Sequence, residues 1–100
     1  MELIITNHAT HRARERFNWK RESLRRMAIR SMQSGIDITN ARGRIKQFIQ
    51  NEIEKFGRAN NTKIYGEQIF LFRDEVLLTV LHLPNELKSI VRKITREKSQ

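Results

Sequence analysis

The chain has 100 residues, with no cysteine, a single proline and only four glycines. Without cysteine it forms no disulfide and no thiolate metal site, as expected of a protein kept in a reducing cytoplasm. No apolar run approaches the ~20 residues of a bilayer span, so no membrane role is expected. The opening Met1-Glu2-Leu3-Ile4-Ile5-Thr6 is too short, and lacks the basic flank, for a secretion signal. The glycines are isolated, which removes a glycine-rich phosphate loop. Three histidines and scattered carboxylates show no ligand spacing such as His-Glu-x-x-His, so neither a metal nor another cofactor is expected.

Negative charge is also scarce. Eleven acidic residues face 20 basic ones, a formal charge of +9, and 13 of the 20 are arginines. Arginine presents a planar fork that grips phosphate at two points. A small, arginine-rich domain therefore points to a polyanionic partner, nucleic acid before an anionic membrane surface, with RNA expected over DNA. An acidic partner protein, able to mask the same patch, is the other expectation. The length and a hydrophobic content of 38% suit one domain over residues 1–100 with one modest core.

Residues 2–5 are apolar and β-branched, a short strand that can join an edge of a sheet. Residues 8–17 follow as a helix, with Asn7 as its expected N-cap and Asn18 as the cap of the next. In residues 20–34, Leu24, Met27, Ala28, Ser31 and Met32 recur at steps of three and four, which predicts an amphipathic helix ended by Gly35. Residues 36–41 are ambiguous, and Asp37, Thr39 and Asn40 are each able to cap a third helix. That helix carries Ile45, Phe48, Ile49, Ile53 and Phe56, and Gly57 is its expected stop.

Beyond Asn61 the period falls to two. Residues 62–65, 68–73 and 76–83 read as strands joined by the two-residue turns Gly66-Glu67 and Asp74-Glu75, which imposes antiparallel pairing. The last two strands are apolar on both faces, so the sheet should be covered on both sides. Pro84 stops the third, and Asn85 caps a final helix with Leu87, Ile90, Val91 and Ile94 along one side. The expected fold is α+β: N-terminal helices, a three- or four-stranded antiparallel β-meander and a C-terminal helix.

Within 8–17, helical geometry puts Ala9, Ala13 and Phe17 on one apolar stripe, with His8, Arg12 and Arg16 on the stripe beside it. An imidazole and two guanidiniums then line the edge of a buried surface. These are the parts a metal-independent ribonuclease needs: the 2′-hydroxyl attacks its own phosphate, histidine carries the proton, and arginine stabilises the charge that develops. His11 lies about 60° to the other side of His8 and fits less well. Thr79, polar amid an apolar strand, is the candidate that orients an arginine or the substrate. His82 reads as a partly exposed strand-end residue on the opposite face from Thr79. Arg14, Arg21, Arg25, Arg26 and Arg30 are the candidate RNA contacts, with Tyr65 suited to stacking on a base.

The run His8-Ala9-x-x-Arg12-x-x-Glu15-Arg16 resembles the opening of small bacterial and phage proteins related to the RelE-like toxins, within the barnase–EndoU–colicin–RelE group of ribonuclease folds. Helices followed by a meander with a late Thr-Val pair, here Leu78-Thr79-Val80, extend the resemblance over nearly the whole chain. It implies that His8, Arg12, Arg16 and Thr79 gather at one site. It also implies a toxin-like endoribonuclease of the mRNA-interferase type, in the cytoplasm, with an acidic antitoxin as a conceivable partner. Two departures stand out: Ala13 is smaller than the hydrophobic residue usual there, and Phe17-Asn18 stands where Gly-Ile is usual. The alternative is a non-enzymatic inhibitor from a phage or mobile element, blocking a nucleic-acid groove on a host protein with its basic face.

Overall fold

The computed structural model describes residues 2–40, 42–56 and 59–98. Among these the chain runs β1 (Ile4–Ile5), α1 (Asn7–Phe17), α2 (Arg21–Ser34), β2 (Ile36–Asp37), α3 (Arg44–Phe56), β3 (Asn61–Tyr65), β4 (Gln68–Arg73), β5 (Val76–His82) and α4 (Asn85–Lys98). The expected meander is present as β3–β4–β5, with both predicted two-residue turns in place. The sheet is larger than expected and is mixed rather than purely antiparallel. Its five strands lie in the order β1-β5-β4-β3-β2, and β1 runs parallel to β5. The ambiguous stretch after Gly35 supplies β2, antiparallel to β3.

Sheet coverage follows the apolar pattern. On one face Ala9, Ala13, Leu24 and Ala28 of α1 and α2 pack on Phe70, Phe72, Leu77 and Val80. On the other, Ile45, Ile49, Leu87 and Val91 of α3 and α4 pack on Ile64, Ile69, Leu71 and Leu81. The central strand β4 is buried on both sides, so its Phe and Ile/Leu positions feed alternate cores. The two alanines that α1 turns inward let the helix lie close to β5.

Several boundaries depart from the sequence reading. Thr6, not Asn7, caps α1: its Oγ1 accepts from the Ala9 N–H at 3.0 Å. Asn18 does not start α2; it closes α1 in the left-handed conformation (φ 56°), a region its short amide side chain tolerates. The Trp19 N–H then turns back to the Ala13 carbonyl at 3.3 Å. Lys20 precedes α2 without a side-chain cap.

Asp37, Thr39 and Asn40 do not cap α3, which begins only at Arg44. Instead the Asp37 carboxylate accepts from the Thr39 N–H and hydroxyl at 2.9 and 2.6 Å. Burial alone would raise that carboxyl's pKa, but the Thr39 bonds and Lys63 outweigh it and hold it below its ordinary value. Gly57 and the side chains of Ile53 and Phe56 lie outside the described residues. Gly35 ends α2 with an extended backbone, and a Cβ there would fall 2.3 Å from the Ser31 carbonyl oxygen, so space rather than φ demands glycine.

Candidate functional site

The position of α1 is set at its first turn by one residue. The Thr6 hydroxyl, besides capping Ala9, approaches the Leu77 and Leu78 carbonyls at 3.1 and 3.2 Å, while the Thr6 N–H donates to Leu77 at 3.2 Å. The helix is thereby fastened to β5 where the parallel β1–β5 ladder ends. At its far end, Arg16 Nη1 donates to the Val80 carbonyl at 2.8 Å, occupying the edge of β5 beyond β1. An edge carbonyl left in a half-buried place would otherwise be unsatisfied.

Between these anchors His8, Arg12 and Arg16 share one stripe, as the spacing predicts, and all three are half-buried. Burial is the main cause that depresses the His8 pKa, and the Arg12 and Arg16 guanidiniums push it the same way, with His11 adding to them; Glu15 opposes. The imidazole is therefore held neutral near pH 7, the form that accepts a proton. Arg12 pairs with Glu15 through Nη1 at 3.2 Å, and its Nε is shielded from solvent with no hydrogen-bond partner among the described residues. Glu15 also pairs with the exposed His11, so one carboxylate links His11 to Arg12 at the border of the stripe.

Thr79 does not join this group. In β5 the Leu71–Thr79 pair is followed by Phe72–Leu77, so Leu78 is an extra residue and the strand bulges. Thr79 shares a face with Leu71, under α3 and α4, whereas Val80 and α1 lie on the other face. Its hydroxyl is fully buried and has no hydrogen-bond partner among the described residues. The placement corrects the expectation that Thr79 orients an arginine of the stripe.

The remaining candidate arginines separate into two kinds. Arg14, Arg21, Arg26 and Arg30 are exposed. Arg25 is half-buried, and its Nη1 donates to the Leu3 carbonyl at 2.9 Å, tying α2 to the residue before β1. Arg25, Arg26 and Arg30 border an open depression on α2 together with Glu22, Ile29 and Gln33, so three cations face one carboxylate there. This cationic surface and the α1 stripe lie on the same side of the sheet.

Tyr65 packs against the α1–α2 core and is half-buried. The register aligns it with Gln68 and His82 across β3, β4 and β5. His82 is exposed, as its strand-end position suggests, and it is not isolated. Its ring tilts onto Phe17 with centroids 4.2 Å apart, and Phe17 stacks on Trp19 at 4.7 Å. Sequence reasoning missed this cluster because His82 is remote in the chain from Phe17 and Trp19, and it missed Thr6 because Asn7 is the commoner cap type. The signal for Thr6 was its position three residues before Ala9.

Among the described residues no three His, Cys, Asp or Glu side chains come together as metal ligands, and no helix is long and apolar enough to cross a membrane. Comparison with protein-family models, with curated proteins and with solved structures finds no match to this chain.

Proposed function

We propose that this protein binds single-stranded RNA across α1 and α2 in the cytoplasm and cleaves it without a metal ion, as a toxin-like endoribonuclease related to the RelE group. The observation that carries the reading is a half-buried imidazole with two guanidiniums on the same helix stripe, surroundings that lower its pKa and favour the neutral form. Neutral His8 takes the proton from the 2′-hydroxyl as that oxygen attacks the adjacent phosphorus. The P–O5′ bond breaks, the departing oxygen is protonated from solvent, and a 2′,3′-cyclic phosphate remains. Arg12 grips the phosphate and stabilises the added negative charge, and Arg16 supports it with the donors not used by Val80.

The test is incubation of the purified chain with labelled RNA in EDTA, followed by end-group analysis. A 2′,3′-cyclic or 3′-phosphate product is expected. His8→Ala should lower the rate by roughly 10²–10⁴-fold with binding nearly intact, and Arg12→Ala should weaken both, since a cation on phosphate acts in the ground state as well. Cleavage by His8→Ala at the parent rate, with contaminating nuclease excluded, refutes the assigned role.

A second reading is favoured by one observation: Arg12 is paired with Glu15 and Arg16 with Val80, so both cations also have structural partners. In that reading the basic face binds without catalysis and occupies a nucleic-acid groove on a host protein. A stable host-protein partner recovered from nuclease-treated lysate, with no cleavage even in the presence of ribosomes, selects it.

A further inference from the structure

The aromatic cluster at the C-terminal end of α1 has no part in the cleavage step. Trp19 anchors it, its ring lying 6.4 Å from that of Phe70 in the core. Phe17 covers Trp19, and His82 leans over Phe17 at an interplanar angle of 54°. Nε2 of His82 lies 3.3 Å from the Arg16 carbonyl oxygen, which fixes the ring although the residue is exposed. The row Tyr65–Gln68–His82 extends the surface across three strands with a further ring and an amide. An imidazole tilted over the half-buried Phe17 ring at the surface contributes little to the core. It does present a ring face of fixed orientation to solvent.

We infer that this cluster is a stacking site for one unpaired nucleobase, that of a nucleotide next to the phosphate held by Arg12. The inference rests on the RNA-binding reading and extends it to the bases. Phe17 follows Arg12 by five residues, about 7 Å along the helix axis, within the reach of a neighbouring nucleotide. Exposed Arg14 and Lys20 flank Phe17 and Trp19 in the chain, and a cationic border around aromatic rings is the pattern that holds single-stranded nucleic acid. An unpaired base lies flat on the outward face of the His82 ring, which Phe17 backs from behind, and Gln68, carrying both donor and acceptor groups, meets the base edge. Duplex RNA, whose bases are already stacked, cannot use the site.

Trp19 is the chain's one tryptophan, so its emission reports on the cluster. The probe is a 2′-O-methyl oligoadenylate, which lacks the attacking hydroxyl and is not consumed. Its control is an abasic strand of the same length and backbone. The oligoadenylate should quench Trp19 and bind roughly tenfold or more tighter than the abasic strand. His82→Ala should remove most of that ratio while leaving affinity for the abasic strand unchanged, and His82→Phe should restore it. Equal affinity of the parent for both strands, or a ratio untouched by His82→Ala, overturns the stacking site while leaving phosphate binding intact. If neither strand binds at low salt, the RNA-binding reading falls and the stacking site with it.

Discussion

Replacing Thr6 with valine tests whether one hydroxyl holds the first turn of α1, and with it His8, against β5. Valine keeps the β-branched shape and suits the extended backbone at this position (φ −70°, ψ 157°), so the change is chemical rather than steric. It removes one acceptor, used by the Ala9 N–H, and one donor. The hydroxyl has a single proton, so its approaches to the Leu77 and Leu78 carbonyls count as one shared bond. The cap contributes about 1 kcal/mol and a neutral, partly buried bond about another 1 kcal/mol. The sum, about 2 kcal/mol, is a large part of the roughly 5–15 kcal/mol that stabilises a domain of this size. It should lower Tm by roughly 8–16 °C. Thermal and urea unfolding followed by circular dichroism measure it, with Thr6→Ser as the variant that keeps both bonds. Fraying of the turn should also displace His8, so cleavage should fall further than RNA binding. A Thr6→Val protein within about 0.5 kcal/mol of the parent would refute the anchoring argument.

Acidification supplies a second prediction. The folded His8 pKa lies below its ordinary 6.5, so the unfolded chain takes up the proton first; the associated stability is present above pH 6.5 and is lost as pH falls toward the folded value. His8→Gln should flatten that part of the stability–pH curve, and an unchanged slope would refute the assignment. In cleavage, the acid limb of the rate profile should lie below 6.5 and move upward in Arg12→Gln, where one of the depressing charges is gone. Gly35→Ala should cost about 1–3 kcal/mol, because the new methyl meets backbone at the end of α2; a urea midpoint equal to the parent's would sink that claim. RNA affinity should fall steeply with salt, and Arg26→Ala and Arg30→Ala should each make the log–log slope shallower by about 0.7. A slope unchanged in both variants removes α2 from the interface.

What the sequence determined by itself are the features whose causes lie within about four residues. Helical periodicity put His8, Arg12 and Arg16 beside the Ala9–Ala13–Phe17 stripe, and backbone geometry alone suffices for that. Apolar runs bounded by Gly66-Glu67 and Asp74-Glu75 determined the three meander strands and their antiparallel pairing, since a two-residue link permits no other. The doubly apolar β4 determined that both faces are covered. Tertiary structure decided what depends on partners distant in the chain. The two-residue strands β1 and β2 exist through their pairing with β5 and β3, because so short a segment carries no period of its own. The extra residue at Leu78 breaks strict alternation and puts Thr79 on the face away from α1, and a bulge is set by register between strands. The choice of Thr6 over Asn7 as cap follows from the Leu77 and Leu78 carbonyls, some 70 residues further along. The left-handed turn at Asn18 carries Trp19 back against α1, and only then do Phe17, Trp19 and His82 become neighbours.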